Sequence, residues 1–345
     1  MAVEVTTVAH GGHCVARHEG QVLFVRHALP GERVVAEVTA LGRKGRSVHA
    51  DVVDVLEASP QRRVPICPVA DRCGGCDWQH TTPAAARGLK AQVVREALGR
   101  FAGVTIGPGF VVEPVGDPAS GEPLDWLGWR TRGTLSVDAA GRAGMRAKHS
   151  HEVVVGPGCP QLHASLAPLG LFERRWEPGS RVGFVAPTGA APLVFEAGNA
   201  PAEPVAEQAV GARWQVAADG FWQVHPGAAA ALVQHVAAML APRPGERLVD
   251  LYAGVGLFGL SLSRLVGSDA QGQSLAVTLV EGDRRASELA ALNAGDLPVT
   301  VVRAPVDRWV ARPGALAGTD LVVLDPPRVG AGAGVVGALA AARPR

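Results

Sequence analysis

Leu248-Val249-Asp250-Leu251-Tyr252-Ala253-Gly254-Val255-Gly256-Leu257-Phe258-Gly259-Leu260-Ser261-Leu262 is the stretch that decides the fold. It reads as a short strand, a glycine turn and a helix. Leu248, Val249 and Leu251 make the strand apolar on both faces, as a central parallel strand requires. Gly254 and Gly256 allow a sharp turn and the close approach of a ligand, and the helix aims its first N–H groups at that ligand. Asp250 stands at the strand's carboxyl end, where open α/β sheets bind ligands. Gly254, Gly256 and Gly259 spell G-x-G-x-x-G, which a dinucleotide site would share. A second apolar strand, Val277 to Val280, ends on Glu281, placed to take both ribose hydroxyls of either kind of cofactor. A third, Leu321 to Leu324, runs into Asp325-Pro326-Pro327-Arg328. The prolines fix that turn and remove N–H donors, holding Asp325 toward the pocket.

The acid-Pro-Pro turn is similar to one used by methyltransferases that act on planar nitrogen bases. Together with the spacing of the strands it favours S-adenosylmethionine over a nicotinamide. The length of 345 residues suggests two or three domains, and 47% hydrophobic content supplies real cores. No apolar run approaches the roughly 20 residues needed to cross a bilayer, and the start has no basic region followed by an apolar core. A cytoplasmic monomer without membrane contact is expected. A net charge of +1 does not announce a nucleic-acid binder. The only lysines are Lys44, Lys90 and Lys148, so the cationic side chains are nearly all arginine, which suits phosphate.

Residues 1–58 read as a small closed β-barrel. Val22 to Val25, Arg33 to Val38 and His49 to Val55 are β-rich runs separated by turn residues. Gly11 to Arg17, Phe24-Val25 and Leu29-Pro30-Gly31-Glu32 resemble the TRAM domain, an OB-like RNA-binding barrel. The loop Arg43-Lys44-Gly45-Arg46 could touch phosphate or be a solvated turn. The five cysteines are Cys14, Cys67, Cys73, Cys76 and Cys159. Three close cysteines with a remote fourth suit an iron–sulfur centre better than zinc, which prefers paired short spacings. A disulfide framework does not fit the expected compartment.

Cys67-Pro68, Cys73-Gly74-Gly75-Cys76-Asp77-Trp78-Gln79-His80, Cys159-Pro160, the glycine loop and Asp325-Pro326-Pro327-Arg328 together resemble the RNA 5-methyluridine methyltransferase family. More narrowly, they resemble its TRAM-bearing, iron–sulfur members that act on 23S ribosomal RNA. The resemblance runs from about residue 8 to 337. It implies a multidomain α/β protein: a TRAM barrel (1–58), an α+β iron–sulfur and RNA-binding central domain (59–82 and 104–218), and an incomplete class I, Rossmann-like methyltransferase domain (83–103 and 219–345). It implies that Cys67, Cys73, Cys76 and Cys159 hold a [4Fe–4S] cluster with a structural and RNA-positioning role. It also implies that Gln223, Tyr252, Gly254, Gly256, Glu281 and Asp325 meet S-adenosylmethionine.

Pro83 to about Leu98 reads as an amphipathic helix, which the resemblance places on the methyltransferase domain. Trp129 to His151 is the best RNA candidate by composition, with Arg130 and Arg132 on one strand face near Trp126 and Trp129. The Gly220-Phe221-Trp222-Gln223 stretch, without the resemblance, would put Phe221 and Trp222 in the core. The family's chemistry needs a cysteine thiolate on uracil C6 and a glutamate base. The resemblance places both after Arg345, so this sequence is expected to lack them. The reaction expected is 5-methyluridine formation in 23S rRNA. The rivals are a transfer-RNA enzyme, a non-catalytic RNA-binding protein, and a zinc-bearing nicotinamide enzyme.

Overall fold

The computed structural model of the protein describes residues 1–42, 47–124 and 127–345. The Arg43-Lys44-Gly45-Arg46 loop and Trp126, both expected near RNA, lie outside the described residues. The first unit is a closed barrel of β1 (Ala2–Ala9), β2 (His13–His18), β3 (Gln21–Arg26), β4 (Arg33–Leu41) and β5 (Ser47–Glu57), in the order β1-β2-β3-β5-β4. Alternation builds it: Val3, Val5 and Val8, with Leu23 and Val25, point inward and are buried, while their neighbours face out. Glu32 fastens the chain that leaves the barrel. Its buried carboxylate accepts from the Leu29 N–H (2.8 Å), the Ser59 N–H (3.1 Å) and the Arg62 Nη2 (2.6 Å).

Helix α1 (Pro83–Ala102) starts on Thr82, whose hydroxyl accepts the Ala85 N–H, and stops at Gly103 in the left-handed region. It was expected on the methyltransferase unit, but its apolar face packs elsewhere. Leu89 and Val93, one turn apart, rest on the barrel core, and Gln92 Nε2 donates to Thr7 Oγ1 at 2.8 Å. A central antiparallel sheet follows, built from β6 (Arg132–Val137), β7 (Ala143–Arg146), β8 (Val153–Val154), β9 (Arg181–Val185) and β10 (Leu193–Glu196), in the order β10-β9-β6-β7-β8. Its core holds Leu135, Val137, Val182 and Phe184. The hairpin β11 (Val205–Ala209) and β12 (Ala212–Val216) leads to α2 (Ala228–Leu240).

The last unit alternates strand and helix: β13 (Arg247–Leu251), α3 (Leu257–Val266), β14 (Ala276–Glu281), α4 (Arg284–Ala294), β15 (Val299–Arg303), α5 (Val306–Val310), β16 (Leu321–Leu324) and α6 (Ala333–Ala342). All four strands are parallel, in the order β15-β14-β13-β16. Residues from α2, α3 and α4 bury one face, and residues from α5 and α6 the other. Strand β13 is central, so Leu248, Val249 and Leu251 are buried on both of its faces, and β16 forms one edge.

Removing the Glu32 carboxylate would leave Arg62 without its partner, at a cost of about 3 kcal/mol. Glu32→Ala is expected to lower the melting temperature by several degrees. An unchanged melting temperature would show that the carboxylate does not fasten the barrel exit.

Candidate active site and cysteine cavity

The carboxyl ends of β13, β14 and β16 bring Tyr252, Gly254, Gly256, Glu281 and Asp325 to one end of the α/β sheet, while Gln223 comes from a separate loop. Glu281 ends β14 and accepts the Gly254 N–H through Oε2 (2.8 Å) and the Asp283 N–H through Oε1 (2.7 Å). Its carboxylate is thereby locked against the glycine loop. Gly254 has φ +56°, and a Cβ added there would meet nothing within 4 Å, so open space lies beside the turn. Gly259 is different. A Cβ there would come within 2.4 Å of Leu279 Cδ2, so this glycine lets α3 settle against β14. Tyr252 adopts φ +63°, a costly conformation for a residue with a side chain. Its hydroxyl donates to the Ala331 carbonyl at 3.4 Å. Asp325 follows β16 directly and is exposed.

Asp250 is the group whose importance the sequence left understated. It is fully buried, and its Oδ2 accepts the Gly259 N–H at 2.9 Å while Oδ1 has no partner. Burial pushes its carboxyl up to about 7; the Gly259 N–H opposes this, and the Asp325 and Glu281 charges reinforce it. An orphaned buried carboxylate oxygen beside an open glycine turn fits a cofactor that carries positive charge. Burial raises the Tyr252 hydroxyl, and the charge of Asp307, in the first turn of α5, raises it further.

Gln223 is half-buried in the loop 220–224 before α2. The central sheet holds that loop at both ends. Arg132 Nη1 donates to the Gly220 carbonyl (2.8 Å), and the Thr131 N–H and hydroxyl both donate to the Val224 carbonyl (2.8 and 2.9 Å). Arg132 was expected to face RNA beside Arg130. It is instead buried, paired with the buried Glu207 at 2.7 Å, because the hairpin β11–β12 covers that side of β6. Arg130 lies over the Trp129 ring at 4.7 Å. Of the aromatic pair in the same loop, Trp222 is in the core against Trp214, but Phe221 is 75% exposed.

Cys67, Cys73, Cys76 and Cys159 all line one small cavity between the segment 67–79 and the central sheet. None forms a disulfide. The Gln79 side chain spans the loop: its Oε1 accepts the Cys67 N–H (3.1 Å) and its Nε2 donates to Cys76 Sγ (3.1 Å). Burial raises the thiols of Cys73, Cys76 and Cys159, and charge on the neighbouring sulfurs would raise them further. Four thiolates would share this space only around a compensating cation. Among the described residues, no three Cys, His, Asp or Glu side chains are set to hold a single metal ion. Cys14 is apart, buried in the barrel, donating its S–H to the Ala28 carbonyl and pushed up to about 12 by burial.

Residues 1–53 match the TRAM domain family. An uncharacterized RNA methyltransferase of Streptomyces avermitilis is 41% identical over 370 residues, covering 96% of this chain and 83% of that protein. The chain belongs to the family of TRAM-bearing RNA methyltransferases. A 23S rRNA (uracil(1939)-C(5))-methyltransferase of Alkalilimnicola ehrlichii is 33% identical, covering 99% of this chain and 85% of that one. The solved Pyrococcus abyssi tRNA (uracil-54, C5)-methyltransferase in complex with S-adenosyl-L-homocysteine shares the fold, with a TM-score of 0.67 at 19% identity over 99% of this chain and 87% of that one. The protein is thus an RNA methyltransferase by family. Among the described residues, no helix is long and apolar enough to cross a membrane.

The buried Asp250 sets a pH dependence. Its folded-state value lies above the unfolded one, so its contribution to stability is present at low pH and falls as pH rises from about 4 to 7. At about 1.4 kcal/mol per unit, the change is at most about 4 kcal/mol. Asp250→Asn, which retains an acceptor for Gly259, should lose less stability than the wild type between pH 5 and pH 8 in parallel urea titrations of the cofactor-free protein. Equal losses would mean that Asp250 is charged throughout.

Proposed function

We propose that this chain is the cofactor- and RNA-binding body of an enzyme that methylates C5 of a uridine in 23S ribosomal RNA. The observation that carries the reading is the meeting of Asp250, Glu281 and Asp325 around one open glycine turn, in a chain related over nearly its whole length to a 23S rRNA uracil-C5 methyltransferase. S-adenosylmethionine, when bound, supplies an activated methyl group. Glu281, locked by the Gly254 and Asp283 N–H groups, would take the ribose hydroxyls. Gly254 leaves the backbone open to the donor, Gly256 lets the turn pack closely on Leu260, and Gln223, Tyr252 and Asp325 would meet the donor. Phe221 offers an exposed ring, two residues from Gln223, on which a flipped base can stack. Four thiols on one cavity, without disulfides, support a [4Fe–4S] cluster on Cys67, Cys73, Cys76 and Cys159, which would brace the central sheet. The modules divide as barrel, central sheet and α/β unit, with α1 on the barrel side.

C5 of uracil is a weak nucleophile until a thiolate adds at C6. The thiols of this chain are placed otherwise: four around the cavity and one, Cys14, inside the barrel. A second reading is a protein that binds S-adenosylmethionine and RNA without transferring the methyl group. Labelled S-adenosylmethionine with 23S rRNA or transfer RNA separates the two. The test compares this chain with a version that adds a cysteine-bearing strand and a glutamate beside β16. Methyl transfer to 23S rRNA by the extended protein alone supports the enzyme reading. Binding of both ligands with transfer by neither protein supports the second.

Glu281→Ala should weaken S-adenosylhomocysteine binding roughly 10- to 100-fold, the value of charged hydrogen bonds to two hydroxyls. Calorimetry that finds wild-type affinity would remove Glu281 from the site. Protein purified without oxygen should carry iron and acid-labile sulfide in equal amounts, and Cys76→Ser should lose both.

A further inference from the structure

The solvent face of the central sheet carries a basic recess that neither the cofactor site nor the cysteine cavity uses. Thr134 and Ser136 are two apart on β6 and face one side, while Leu135 and Val137 fill the core on the other. The register sets Arg181 of β9 opposite Ser136. Arg146, the last residue of β7, donates from Nε to Ser136 Oγ at 3.0 Å, and its Nη1 lies 3.5 Å from His151 Nδ1. With Lys148 and His149 these groups surround about 360 Å³, and no carboxylate lines it.

The neighbouring cations are committed. Arg142 pairs with Asp138 (2.8 Å), Lys148 with Asp77 (2.7 Å), Arg72 with Glu152 (2.6 Å), and Arg132 is buried on Glu207. Among the described residues Arg146 and Arg181 pair with no acid, and both are exposed. Two guanidiniums without carboxylates, flanked by two hydroxyls, match the oxygens of a phosphodiester. The recess is also fastened to the cysteine loop: the Gly74 N–H donates to the Arg146 carbonyl at 2.9 Å, and Cys73 bridges Ala147. The thiol cavity therefore stands directly behind this face and fixes the end of β7.

We propose that this face is a phosphate-binding track for single-stranded RNA, in which Arg146 and Arg181 each pair with one backbone phosphate while the Ser136 and Thr134 hydroxyls add hydrogen bonds. The proposal rests on RNA being the substrate, and it adds where the strand is held away from the methyl-transfer pocket. The test is binding of a labelled 23S rRNA fragment to the full chain over a salt series. Each phosphate contact on a single strand contributes about 0.7 to the slope of log affinity against log salt. The double variant Arg146→Gln, Arg181→Gln should therefore bind more weakly, with a slope shallower by about 1.4, and should keep wild-type affinity for S-adenosylhomocysteine. Arg142→Gln, on the same sheet but already paired, should keep the wild-type slope. A double variant with wild-type affinity and slope overturns the track alone. Absence of RNA binding by the wild type overturns it together with the RNA reading.

Discussion

One buried ion pair sets the geometry on which the active-site loop depends. Arg132 on β6 and Glu207 on β11 meet at 2.7 Å with almost no exposure. Arg132 also donates to the Gly220 carbonyl, and the second oxygen of Glu207 accepts from both the N–H and the hydroxyl of Thr188. Four separate segments thus converge on two charges. Burying such a pair costs about as much as its attraction returns, and Arg132 Nε finds no partner at all. Its value is directional. A guanidinium offers donors in a fixed fork, so the hairpin and the 220–224 loop can dock in one register only. Apolar residues of equal volume could fill the space without fixing that register.

The same pair shows why the sequence was readable in some places and opaque in others. Strand β13 was legible because a central parallel strand must be apolar on both faces, and nothing distant changes that. The glycine turn and Glu281 were legible for the same reason: their chemistry is local. Arg132 was not. Period-two spacing correctly groups side chains by strand face, but it cannot say which face a later hairpin will cover. Glu207 lies 75 residues away and leaves no mark near Arg132. Phe221 and Trp222 present a similar case. Adjacent aromatics cannot both enter one core from extended chain, and the buried position fell to Trp222, which meets Trp214. Helix α1 was legible as a helix, since Pro83 suits a first turn and an apolar face follows it. Its partner was not, because Leu89 and Val93 would fit any apolar surface.

Asp250 was visible as a strand-end acid, but its condition depends on packing. The close seating of α3 on β14 at Gly259 removes water from one carboxylate oxygen and supplies an N–H to the other. Asp250 is therefore both a support for the glycine loop and an unspent acceptor. A single substitution at Gly259 would disturb both roles, since any side chain there strikes Leu279 and pushes α3 off the sheet.

Net charge is uninformative for a physical reason. A total of +1 suggests a surface without a field, yet the charges are sorted. At one end of the α/β sheet burial raises the Asp250 carboxyl, and the nearby charges of Asp325 and Glu281 raise it further. Arg146, Arg181 and His149 gather on the central sheet around a recess without an acid. A sulfonium cofactor and a polyanion need opposite fields, and fields from exposed charges fade over about 10 Å in ordinary salt. Two patches further apart than that act independently, however nearly their charges cancel in the sum. Segregation of charge, and not its total, is what a chain must encode to hold both ligands at once.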